Sequence, residues 1–158
     1  MAATSPNARL ATPTPVGRDG ADDGIANLLT RLGGSIDRKD AEQVAGLFTV
    51  DGGFTHPSGE TVRGRDLIEA LFRARFAEPG RRTCHVWANL LVTRDGETSA
   101  VAEAVMTVYA FEPAISETRA QLRIGRVRAR CECGQDGTWR FAEHRFEMAF
   151  PLSIPLSG

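Results

Sequence analysis

The run Arg119-Ala120-Gln121-Leu122-Arg123-Ile124-Gly125-Arg126-Val127-Arg128-Ala129-Arg130-Cys131 alternates apolar and polar residues, the pattern of a strand with two unlike faces. The alternation changes phase in the middle. Ala120, Leu122 and Ile124 hold even positions, but after Gly125 the apolar set is Val127, Ala129 and Cys131, all odd. A period-2 pattern that switches at a glycine marks a β-bulge, and bulges bend a sheet. The strand as a whole spans 118–133. Three further runs, 83–94, 98–112 and 138–150, are rich in Val, Ala, Phe and Thr, with turn signals at Asp95-Gly96, Pro113 and Asp136-Gly137. The last shifts phase too, from Trp139 and Phe141 to Phe146, Met148 and Phe150. Long consecutive strands of this kind predict an antiparallel, strongly curved sheet.

Upstream the period changes to that of helices. Ile25, Leu28, Leu29, Leu32 and Ile36 form one apolar stripe after the capping candidates Asp22 and Asp23. Asp40 reads as the cap of a second, short helix, with Gln43 three residues on and Val44, Leu47 and Phe48 turned inward. Gly52-Gly53 is expected to break it, followed by a short strand at Phe54-Thr55-His56 and a turn at Pro57 and Gly59. A third helix is expected from Gly64 to Phe76, burying Leu67, Leu71, Phe72 and Phe76 and ending at Pro79-Gly80. Three helices packed on a bent sheet give an α+β cone, barrel-like, with a pocket between the layers.

Residues 22–150 make this one domain, with residues 1–21, rich in Ala, Thr, Pro and Gly, expected as a disordered tail and 151–158 as a C-terminal tail. Nineteen Lys and Arg against twenty Asp and Glu leave a net charge of -1, which speaks against a nucleic-acid partner or a polybasic membrane surface. No run approaches the roughly 20 apolar residues of a membrane-crossing helix. Three cysteines are too few for a zinc site, and Cys131 and Cys133, two apart on one strand, are badly placed to bridge each other. Buried, reduced thiols, no metal and a cytoplasmic location are expected.

The candidate chemistry gathers at a few positions. His85, Trp87 and Asn89 share one strand face and suggest a pocket wall, with His85 either a proton-transfer group or a core histidine bonded to a backbone carbonyl. Asp37 ends the first helix, where the dipole disfavours an acid; solvent with Arg38 and Lys39, or a buried partner, must compensate. Glu103 sits in a strand that reads as buried on both faces, so it either meets the arginines at 119, 123, 126, 128 and 130 in a structural ion pair or touches a ligand. The arginine-rich strand itself fits a solvated outer face better than an anion site. Phe54, Phe72, Met106 and Phe146 are candidate apolar walls and His56 a polar contact at the mouth. His144, between Glu143 and Arg145, reads as a satisfied sheet histidine. No Gly-rich phosphate loop, Gly-x-Ser-x-Gly elbow or paired-His motif is present, which leaves acid–base chemistry without a cofactor.

The order of elements, the stretch Ser35-Ile36-Asp37-Arg38-Lys39-Asp40, the Gly64-Arg65 opening and above all Thr83-Cys84-His85-Val86-Trp87-Ala88-Asn89 resemble the SnoaL-like branch of the nuclear-transport-factor-two-like superfamily. The resemblance implies an Asp–His dyad of the kind used by scytalone dehydratase, bile-acid 7α-dehydratase and hexachlorocyclohexane dehydrochlorinase, with Asp37 and His85 in the matching places. Those relatives carry Tyr or Lys one helical turn before the Asp, where this chain has Leu32. The expected function is therefore a dehydratase-type lyase on a small hydrophobic substrate. A polyketide cyclase or isomerase with the same base is the first alternative, and a non-catalytic binding or subunit-stabilising module the second. A homodimer is expected, or a homotrimer as among the dehydratase relatives, with Trp139, Phe141, Val127 and Ala129 covered by a sister subunit.

Overall fold

The first helix, α1 (Gly20–Asp37), buries the expected stripe completely: Ile25, Leu28, Leu29 and Leu32 are each 2% exposed or less. Each such side chain contributes about 1.5–3 kcal/mol relative to exposure, and this holds the helix against the sheet. The computed structural model describes residues 20–156; of the tail expected over residues 1–21, residues 1–19 lie outside the described residues, and Gly20 and Ala21 belong to α1 instead. Asp22 and Asp23 lie within the first turn rather than before it, where they face the positive end of the dipole. At the other end the chain closes in a Schellman arrangement. Asp40 donates its N–H to the Ser35 carbonyl (2.9 Å) and Lys39 to that of Ile36 (3.1 Å), with Lys39 in the left-handed region at φ 61°. Asp40 then caps α2 (Ala41–Gly46), its side chain accepting the Gln43 N–H at 2.9 Å as the spacing predicted.

Gly52 and Gly53 do not break a helix; they lie inside β1 (Phe48–Thr55). A Cβ on Gly52 would meet the Phe141 carbonyl oxygen at 2.8 Å, so the glycine permits close strand approach. His56 falls just after the strand, and a turn leads to β2 (Thr61–Arg63), which the sequence pattern did not reveal. In α3 (Arg65–Phe76) the buried residues are Ile68 and Phe72, with Leu71 and Phe76 half-buried; Leu67, expected inside, is 59% exposed. The helix is rotated by one residue from the expected face.

β3 (Arg82–Arg94), β4 (Ser99–Phe111), β5 (Arg119–Cys133) and β6 (Trp139–Pro155) follow as consecutive antiparallel neighbours. The six strands are ordered β2-β1-β6-β5-β4-β3. Because β1 pairs in parallel with β6, the sheet is mixed, not purely antiparallel, and it stays open between β2 and β3. The result is an α+β cone, with α1 and α3 over its concave face.

The phase change in β5 has a different origin from the one expected. β5 pairs with β4 without interruption through Gly125, and the extra residues sit in β6. Ala142 is skipped between the Arg130–Glu143 and Cys131–Phe141 pairs, and Ala149 between Ile124–Phe150 and Gly125–Met148. β6 therefore turns its faces over twice. Strict alternation in β5 places Gly125, Val127, Ala129 and Cys131 inside, and Gln121 and Arg123 with them. Ala120, Leu122 and Ile124 are on the outer face. A Cβ on Gly125 would lie 2.5 Å from the Phe146 ring, so the glycine makes room for that ring to cross it.

Three expectations fall with this register. Phe141, Val127 and Ala129, expected under a sister subunit, are 2% exposed or less in the protein's own core, and Trp139 lies against Gly24 of α1. Residues 151–155 continue β6 against β5 instead of forming a tail. The cysteines are all free, but Cys84 is exposed; only Cys131 is fully buried, and burial pushes its thiol up to about 12.

Candidate active site

Asp37, the last residue of α1, receives three donors from β3. The Thr83 hydroxyl donates to Oδ1 (2.8 Å), the His85 backbone N–H to Oδ2 (2.9 Å), and His85 Nδ1 lies 2.6 Å from Oδ1. These bonds answer the question posed by an acid at a helix C-terminus: a partner, not Arg38 or Lys39, offsets the dipole. Arg38 instead donates to Gln43. With Nδ1–H held by the carboxylate, Nε2 of His85 is left as the free, basic nitrogen. The helix can approach this closely because of Gly33, where a Cβ would meet Trp87 Nε1 at 2.9 Å and the His85 Cβ at 3.0 Å. Burial lowers the His85 pKa, Asp37 acts against the shift, and Arg81 and Arg75 add to it; the net direction is down, so the ring is neutral at pH 7.

His85 lines a small, partly open cavity of about 70 Å³. Phe54, Phe72, Trp87, Met106 and Phe146 form its walls as expected, and Leu32 stands where the relatives' Tyr or Lys was awaited. Three candidates fall elsewhere. Asn89 takes φ 52° in a bulge of β3 and, with Glu103, borders a groove on the outer face of the sheet. Glu103 is exposed because the inner residues of β4 are the even ones; it lies opposite Arg128 but forms no ion pair with any described residue. His56 borders a separate groove with Ser58 and Arg75, its Nδ1 accepting the Ser58 N–H at 3.3 Å.

The largest omission is His144. It is 3% exposed, stacks on Phe54 with ring centres 5.6 Å apart, and has no hydrogen-bond partner for either ring nitrogen among the described residues. Burial, aided by His85, drives its pKa down to about 4. It shares the cavity with His85. The signal was present, since residue 144 is in phase with Phe146, which was read as inward. Arg75, Arg81 and Arg123 also line the cavity. Glu112, buried in phase with Val108 and Ala110, binds Arg81 at 3.0 Å and also pairs with Arg123.

A helix-topped cone with this pocket and this sequence matches the SnoaL-like domain over residues 21–145. The chain belongs to the SnoaL-like domain family. Among solved structures, this SnoaL-like protein is similar to a candidate scytalone dehydratase from Novosphingobium aromaticivorans, at 17% identity and a TM-score of 0.76, covering 87% of this chain and 90% of that one. It is similar to a hexachlorocyclohexane dehydrochlorinase, LinA type 2, at 16% identity and 0.76, covering 88% and 90%. A protein of unknown function from Mycobacterium tuberculosis is 28% identical, with a TM-score of 0.69 over 80% of this chain and 74% of that one. The first two likenesses are of fold. No curated protein matches the SnoaL-like chain by sequence. Among its described residues no helix is long and apolar enough to cross a membrane.

Proposed function

We propose that the protein is a cofactor-independent acid–base enzyme, a dehydratase-type lyase acting on a small hydrophobic substrate. The observation that carries this reading is the 2.6 Å bond from Asp37 to His85 Nδ1 at an apolar cavity. In the proposed reaction, His85 Nε2 takes a proton from a carbon next to a carbonyl. The C–H electrons become the new C=C bond, the β-hydroxyl leaves, and His85 returns its proton to that oxygen as water departs. Asp37 holds the tautomer and stabilises the imidazolium, and so contributes through charge rather than by taking the proton. His144, neutral and unpartnered, is placed to donate to the substrate carbonyl, the task that Leu32 cannot perform.

The test uses 5-nitrobenzisoxazole, whose ring opens when a base removes its carbon-bound proton. Wild type is expected to open it about 10²–10⁴-fold faster than His85→Ala, with Asp37→Asn between them and the double variant hardly slower than His85→Ala. The rate should rise with pH through a midpoint below the ordinary histidine pKa, since the neutral base is the active form and its pKa is lowered. A folded His85→Ala protein as fast as wild type would overturn the mechanism in favour of a binding module.

A cytoplasmic location and a homodimer, with a homotrimer next, belong to the same proposal. The interface moves to the outer face beyond Gly125, where Tyr109 pairs across the strands with Leu122 and Leu122 with Leu152, and where Phe150 pairs with Ile124. Tyr109, Leu152 and Phe150 are 49%, 50% and 62% exposed, and a second copy seated there would cover them.

A further inference from the structure

Arg75 stands apart from the other arginines of the cavity. Arg81 is held by Glu112 at 3.0 Å, with Glu78 at 3.8 Å, and Arg123 pairs with Glu112. Arg73, on the same last turn of α3, points away and binds Glu69. The Arg75 guanidinium has no hydrogen bond or ion pair with any described residue, although it is only half-exposed and lines the cavity that His85 lines. Of the three arginines on this wall, Arg75 is therefore the one whose guanidinium has no ion-pair partner among the described residues. A partly buried guanidinium with its donors unused gains most from an anion that accepts from them.

We propose that Arg75 binds the carboxylate of an amphipathic ligand whose apolar body fills the cavity and whose reacting carbon lies at His85. The inference rests on the catalytic reading of His85 only for where the ligand's other end sits. The planar fork of the guanidinium matches a carboxylate's two oxygens. A single guanidinium without a partner fits a monoanion better than a phosphate dianion. The aromatic and aliphatic walls require the rest of the ligand to be apolar, which makes the substrate class a hydroxylated aromatic or alicyclic acid.

Calorimetric titration of the full chain with cinnamate and with its neutral isostere cinnamamide tests this. Wild type is expected to bind the acid at least about tenfold tighter than the amide, the size of one charge-assisted hydrogen bond. Arg75→Gln should lose that preference, and Arg75→Lys, which keeps the charge but not the fork, should keep part of it and so report that the fold is intact. His85→Ala should retain the preference while losing benzisoxazole opening, so a failure of the base leaves the anion site standing and the reverse. Equal affinity for acid and amide in wild type, a preference that survives Arg75→Gln, or no binding of either compound at millimolar concentration would overturn the proposal.

Discussion

The two ends of the curved sheet are built on opposite plans. Under α1, the inner face carries Ala100, Ala102, Val127, Ala129 and Phe141, all buried, and the outer face carries exposed Arg126, Arg128, Arg130 and Glu103. Beyond Gly125 the plan inverts: Arg123 and Glu112 face inward, and Tyr109, Leu122, Phe150 and Leu152 face outward. The first end is an ordinary core with a solvated back. The second places charge inside and apolar area outside, an arrangement that costs stability unless something uses both faces. Within this fold the inverted end holds the cavity's charged wall and the surface assigned to a second subunit. A departure from the inside–outside rule therefore locates function better than any single side chain does.

The contrast is most easily broken by removing the same charge from each end. Glu112→Gln leaves Arg81, 4% exposed, with only the more distant Glu78, and should lower unfolding free energy by about 3–5 kcal/mol in chemical denaturation. Glu103→Gln, at the ordinary end, should change it by less than about 0.5 kcal/mol. Similar losses from the two would remove the distinction.

The pH dependence sharpens the picture around the cavity. His144 titrates at about 4 in the folded protein against 6.5 for a free side chain, so unfolding takes up a proton between those values. Stability should therefore be full above pH 6.5, fall as the pH drops toward about 4, and level off below, with this residue accounting for about 3 kcal/mol. His144→Phe keeps a ring against Phe54 and should flatten the acid limb of the stability curve; an unchanged limb would mean that His144 is protonated or solvated in the fold.

Smaller effects test the boundary and the outer surface. Gly125→Ala forces a Cβ into the Glu147 carbonyl and the Phe146 ring and should cost about 1–3 kcal/mol, read as a lower denaturation midpoint. Leu152→Asp should alter the stability of the single chain by no more than about 0.5 kcal/mol yet shift the mass in light scattering from oligomer to monomer. A wild-type monomer at micromolar concentration would remove the subunit interface from the account.

Much of this was legible along the chain. The 3.6 period placed α1, the Asp40 cap placed α2, and the turn residues divided the four long strands, because these features depend on neighbours within a few residues. The strand face of His85 and the helix end of Asp37 mark each residue separately, but only the resemblance pairs the two, 48 residues apart. Parity was the weak point. Period 2 says which residues share a face but not which face is inside, and a bulge exchanges the two without a signal at the residue it moves. Asn89, expected beside His85 and Trp87, lies on the outer face for that reason; Glu103 sits in a strand that reads as buried on both faces, so its side carries no period-2 signal, whereas His144 shares the parity of Phe146.

From the chain alone came the three helices and the four long strands in their order, the apolar stripe of α1 and the phase change at Gly125, but not β2 or the full length of β1. Only the folded chain shows that β1 lies parallel to β6, that the extra residues belong to β6, and that Asp37 meets His85 while Arg75 has no carboxylate partner among the described residues. Helical and strand periods are local steric properties of the chain, whereas pairing, burial and charge balance arise only when segments far apart in sequence exclude the same water.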